Sequence, residues 1–140
     1  YEIEARAVIT GRLTASSVAD WLLQQSGLPL AYSSADPGIV RQVQAEFGRE
    51  RAAEALESLF AEVARLVVAA GAGRLITAGG ETSGAVVEGL GLSQLEVGPE
   101  IAVGVPALRA GPELVIALKS GNFGGPDFFR DAATVLAGSN

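Results

Sequence analysis

The sequence predicts a three-layer α/β domain: a mostly parallel sheet, helices on both of its faces, and glycine-rich loops at its carboxyl edge. Three observations lead there. A strand, a glycine loop and a helix follow one another twice, first from Arg74 and again from Leu114. A long amphipathic helix precedes the first of these units. The 140 residues are 49% hydrophobic and 19% charged, enough to close a packed core in a single domain spanning 1–140. Strands that alternate with helices imply parallel pairing, with helices covering both faces.

Taken in order, Thr14 to Gln25 sets Val18, Ala19, Leu22 and Leu23 at helical spacing, and Gly27 with Pro29 stops the run. Leu30 to Ser33 reads as a short buried strand. Ser34-Ala35-Asp36-Pro37-Gly38 is a turn cluster in which Asp36 can cap the helix that follows. From Glu50 to Ala70, Ala52, Leu56, Leu59, Phe60, Val63 and Val67 line one face, opposite Glu54, Glu57, Ser58 and Arg65. Gly71-Ala72-Gly73 ends that helix.

The first repeated unit is a strand at Arg74 to Ala78, a loop at Gly79 to Gly84 and a helix at Ala85 to Leu90. The second is a strand at Leu114 to Leu118, a loop at Lys119 to Gly125, and a helix entered at Pro126 and carried by Phe128, Phe129, Ala132 and Leu136. Between them, Gly91 to Gly111 is dense in Gly and Pro, with a short strand expected at Gln94 to Val97. The likeness of the two units is one of architecture, without a sequence repeat.

Composition removes whole classes of chemistry. There is no His and no Cys, so no Ser-His-Asp triad, no thiolate nucleophile and no Cys/His zinc site. Catalysis would have to run through carboxylates, backbone amides, hydroxyls, the single lysine or a bound ion. Sixteen acids against ten bases leave a net charge of −6, which argues against a nucleic-acid groove and against an anionic membrane surface. The longest apolar runs, Leu66 to Ala70 and Leu114 to Leu118, are too short to span a bilayer. With no secretory signature at the start, a cytoplasmic location is expected. The chain has no Met and begins Tyr1-Glu2-Ile3. A piece of a longer protein is therefore expected, with removal of an initiator Met as the alternative.

Glycine stands at 18 of 140 residues, roughly twice its usual ~7% share. In α/β sheets, ligands bind outside the carboxyl ends of the strands, where both loops would sit. Glycine lets backbone N–H groups approach an anion closely, and a helix N-terminus adds partial positive charge. Gly79, Gly80, Gly121, Gly124 and Gly125 suit that role, and Thr82, Ser83, Ser120 and Asn122 add neutral donors. Lys119 can meet a phosphate or hold its loop. Glu81 can bind Mg²⁺ through water, accept from a ribose hydroxyl, or cap a helix. The plain alternative for each loop is a tight strand-to-helix turn.

Familiar fingerprints fail. No GxxxxGK[ST] exists, because Leu118 stands at the second Gly position. The Gly71-Ala72-Gly73 start of a GxGxxG meets Ile76 at its last Gly. Gly80-Glu81-Thr82-Ser83-Gly84 has the outline of a nucleophile elbow with Thr at its centre, and no His to activate it.

Three strings in order carry a likeness. Gly79-Gly80-Glu81-Thr82-Ser83-Gly84 comes first, then Val97-Gly98-Pro99-Glu100-Ile101 with Gly104-Val105-Pro106, then Leu118-Lys119-Ser120-Gly121-Asn122-Phe123-Gly124-Gly125. Together with Tyr32-Ser33-Ser34-Ala35-Asp36-Pro37, they make the chain similar to the C-terminal nucleotide-binding domain of the four-carbon acid sugar kinase family, over about Leu30 to Ala132. Ala107 departs from it, since relatives often carry an aromatic residue there. The resemblance implies a kinase that uses ATP and Mg²⁺ to phosphorylate threonate, erythronate or 3-oxo-tetronate acids. It implies nucleotide contacts from both glycine loops (Gly79, Gly80, Glu81, Thr82, Ser83, Lys119, Ser120, Gly121, Asn122, Gly124 and Gly125) and leaves metal ligands open. It also implies that the acid and the catalytic carboxylate belong to an N-terminal substrate domain outside these residues, so that no catalytic residue falls within them. A homodimer is an open expectation. Two rival expectations are a non-catalytic sensing or dimerisation module of the same fold and a phosphate-binding domain like that of sugar-phosphate isomerases.

Overall fold

The computed structural model describes residues 1–121 and 123–139. In chain order the elements are α1 (Ala5–Ile9), α2 (Ala15–Gln24), α3 (Pro37–Phe47), α4 (Arg49–Ala69), β1 (Arg74–Ala78), α5 (Gly80–Gly89), β2 (Glu96–Ala102), β3 (Val105–Arg109), β4 (Val115–Lys119) and α6 (Phe128–Ala137). Local chemistry accounts for the helix starts. Thr14 and Ser17 form a reciprocal capping box at α2. At α3, Asp36 accepts the Gly38 N–H at 2.7 Å with Pro37 in the first turn. Gly48, at φ +87°, separates α3 from α4, and Gly71, at φ +101°, follows the end of α4.

The α/β class and the covering of both faces are as expected. One face of the sheet packs on α6, where Val105, Ala107, Val115 and Ala117 meet Phe128, Ala132 and Leu136. Leu136 is fully buried, and its truncation to Ala should cost about 2–5 kcal/mol. On the other side, Leu59, Val63 and Val67 of α4 gather Val18 and Ala19 of α2, Ile3 and the half-buried Leu75 of β1. Leu75 and Ile76 thus serve opposite layers, as successive strand residues must.

The sheet is mixed where a mostly parallel one was expected. Its order is β1-β4-β3-β2. Only β1 and β4 run parallel, while β3 is antiparallel to β4 and β2 to β3. The Gly- and Pro-dense stretch is the reason, because it forms a β2–β3 hairpin that turns back beside β4. Its outer strand tolerates Gly98 and Pro99 because it is an edge, broken by register shifts between Val97 and Ala102. A Cβ at Gly98 would lie 3.1 Å from the Ala107 carbonyl oxygen, a close approach that favours glycine. The strand expected at Gln94 to Val97 is the beginning of this longer one.

Two further boundaries differ. Leu30 to Ser33 is not a buried strand. Tyr32 makes only an isolated parallel bridge with Glu2, and Leu30 and Tyr32 stay exposed. The segment has one short backbone partner and no second face of protein over it. Helix α5 begins at Gly80 instead of Ala85, because Gly79 alone, at φ +107°, makes the turn out of β1.

Candidate functional site

The two glycine loops leave the sheet side by side. Ala78 pairs with Lys119 at the ends of the parallel strands β1 and β4, and the Gly79 N–H donates to the Lys119 carbonyl at 2.8 Å. A Cβ at Gly80 would lie 3.8 Å from Ser120 Oγ, so the two turns touch.

The first turn leaves donors free. Residues Gly80, Glu81 and Thr82 open α5, and the first helical bond runs from the Ser83 N–H to the Gly79 carbonyl at 2.9 Å. The three preceding N–H groups meet no acceptor among the described residues, and no side chain caps this end. Such orphan donors at a helix N-terminus favour an anion. Gly80 and Glu81 are exposed and Thr82 is half-buried. Ser83 differs: it is buried, and its hydroxyl meets Thr77 Oγ1 at 2.8 Å. Its side chain braces the turn from inside.

The second loop is shaped by Lys119 and Phe128. Lys119 Nζ donates to the Gly121 carbonyl at 2.5 Å and stands 5.9 Å from the Phe128 ring centroid. That bond ties the lysine to its own loop. Gly124 has φ +82°, and a Cβ there would fall 2.6 Å from Phe128 Cδ2, so glycine is required twice over. Ser120, Gly121, Gly124 and Gly125 are exposed. Asn122 lies outside the described residues.

Sequence reasoning missed the parts that hold these loops. Thr77, a polar residue inside an apolar strand, was the available signal for the contact with Ser83. Gly104, at the β2–β3 tip, has φ +77°, and a Cβ there would come within 3.0 Å of Phe123 Cε1. Its N–H donates to Glu100 Oε1 at 2.9 Å. The hairpin tip therefore packs under the second loop.

Two hollows lie elsewhere. One of about 270 Å³ is lined by Glu96, Val97, Ala107, Arg109 and Ser139, and another of about 390 Å³ runs between α1, the start of α2 and α4. The first lies by Val115, at the opposite end of β4 from the glycine loops. No group of three or more His, Cys, Asp or Glu side chains capable of holding a metal occurs among the described residues. None of the described helices is long and apolar enough to cross a membrane.

In this mixed α/β sheet two glycine turns abut at the ends of the parallel strands, beside backbone donors with no acceptor among the described residues, and such donors favour an anion. The chain belongs to the family described as the nucleotide-binding C-terminal domain, whose profile matches residues 1–129. It is 45% identical over 139 residues to the 3-oxo-tetronate kinase of Cupriavidus necator, covering 97% of this chain and 32% of that protein. It is 52% identical over 115 residues to the 3-oxo-tetronate kinase of Methylobacterium radiotolerans, covering 80% of this chain and 27% of that one. A crystal structure of a Haemophilus influenzae protein superposes with a TM-score of 0.89 at 33% identity, over 97% of this chain and 34% of the other. The chain thus spans about a third of the length of these relatives.

Proposed function

We propose that this chain is the ATP-binding part of a kinase that phosphorylates four-carbon sugar acids of the 3-oxo-tetronate type. The observation that carries the reading is the pairing of the two glycine turns at Ala78 and Lys119, which sets Gly80 beside Ser120, with the N–H groups of Gly80, Glu81 and Thr82 meeting no acceptor among the described residues. Its relatives named 3-oxo-tetronate kinase supply the substrate class.

Phosphoryl transfer asks mainly for positioning and charge neutralisation. Here the N–H groups of the first turn bind phosphate oxygens. Ser120 and Gly121 close on the nucleotide from the second turn, together with Asn122, Gly124 and Gly125. Lys119 keeps that turn in shape and brings positive charge to an acidic chain. Mg²⁺ bound with the nucleotide would neutralise phosphate charge, and Glu81, the acid within the two loops, would be the residue to meet its water shell. This division of labour leaves the acid substrate and the catalytic carboxylate to an N-terminal domain preceding these residues, in a cytoplasmic protein that can form a homodimer.

Release of ADP by the full-length protein, measured against a panel of four-carbon acids, tests the reading. Turnover with at least one of them is expected. A protein that binds Mg·ATP but turns over none of the panel would refute the substrate class, and one that binds no nucleotide would refute the reading altogether.

A further inference from the structure

Thr77 and Ser83 are the only buried polar side chains among the described residues, at 8% and 7% exposed. Each hydroxyl finds its partner in the other, at 2.8 Å. Thr77 is the penultimate residue of β1, Ser83 lies in the opening turns of α5, and the segment between them contains the whole glycine turn.

A valine and an alanine would fill much the same space. Replacing both partners of a buried hydrogen bond by apolar groups is often nearly neutral for stability. What the pair adds over such a filling is direction, since a hydrogen bond fixes distance and angle where apolar contact does not. Two further bonds join it: the Ser83 N–H to the Gly79 carbonyl at 2.9 Å, and the Gly79 N–H to the Lys119 carbonyl at 2.8 Å. Strand β1, helix α5 and strand β4 are thereby tied together around one glycine. Gly80, Glu81 and Thr82 lie within that frame, with Gly80 beside Ser120.

We propose that Thr77 is a positioning residue for the nucleotide: through Ser83 it sets the angle at which the first turn of α5 presents its free N–H groups to phosphate. Thr77 itself is buried beneath the turn and does not touch the ligand. The role rests on the reading above that phosphate binds at this turn.

The test compares wild type, Thr77→Val/Ser83→Ala and Thr77→Ser as full-length proteins. Melting temperature, amide exchange of the peptide spanning 78–84, Mg·ATP affinity, KM and kcat are read for each. The double variant should melt within a few degrees of wild type yet exchange several-fold faster in that peptide. Its Kd and KM for Mg·ATP should rise about tenfold, equivalent to ~1.4 kcal/mol, with a smaller change in kcat. Thr77→Ser keeps the hydroxyl and should restore exchange and KM together. A double variant with wild-type exchange and wild-type KM overturns the role, as does a Thr77→Ser protein that restores neither. A wild type that binds no Mg·ATP overturns the phosphate reading itself and this role with it, whereas wild-type binding beside an unaltered double variant overturns the role alone.

Discussion

The Gly79 N–H donates to the Lys119 carbonyl across 2.8 Å, so the turn that leaves β1 is tied to the last residue of β4. Two segments forty residues apart in sequence become one binding edge through that bond. Gly80 and Ser120 are the next residues on either side of it, and the proposed phosphate site lies over this junction.

Gly80→Val tests that site. A Cβ at this position meets nothing nearer than Ser120 Oγ at 3.8 Å, so the fold accommodates it and the melting temperature should move by only a few degrees. Branched methyls there would crowd an anion approaching the free N–H groups. Calorimetric titration of the full-length protein with Mg·ATP should give a Kd at least tenfold weaker, about 1.4 kcal/mol.

Gly124→Ala should act first on stability. Its φ of +82° costs an L-residue about 1–3 kcal/mol, and the new Cβ would press on Phe128 at 2.6 Å. Thermal denaturation should show a clear fall. Gly121→Ala, at a position with ordinary φ and nothing within 4 Å, should melt like wild type.

Lys119→Met separates a strut from a phosphate ligand. The substitution keeps an apolar stem near Phe128 and removes the bond to the Gly121 carbonyl. Exchange in the peptide spanning 119–125 should quicken even without nucleotide, and the KM for ATP should rise severalfold. Faster exchange only in the nucleotide complex would instead assign Lys119 to phosphate alone.

Gly104→Ala reaches the second loop from outside. The hairpin tip sits against Phe123, and the added methyl would come within 3.0 Å of its ring in a backbone held at φ +77°. The same 119–125 peptide should loosen while α4 keeps its protection, as read by hydrogen exchange. Glu100→Gln, which retains an acceptor for the Gly104 N–H, should be milder.

Legibility in the sequence followed the range of the forces involved. The α4 face of Leu59, Val63 and Val67, the Asp36 cap and the two strand–turn–helix units rest on local periodicity and capping, and these are visible residue by residue. Direction in the sheet was not, because Gly98 and Pro99 disguise β2, and only its pairing with β3 makes it a strand. The start of α5 was hidden for a related reason. Gly80 and Gly84 weigh against a helix locally, while burial of Ser83 and Val86 favours it. At the site, the glycines announced both turns, but the braces under them, Thr77 with Ser83 and Gly104 with Phe123, are contacts between elements that no spacing rule reveals.

Hydrogen exchange of the full-length protein, with and without saturating Mg·ATP, bears most directly on the claim that the two glycine turns form one nucleotide site. Peptides covering 79–84 and 119–125 should gain protection together, with far smaller changes around α1, α2 and α3. Protection confined to one of the two turns, or appearing only in other parts of the protein, would contradict it.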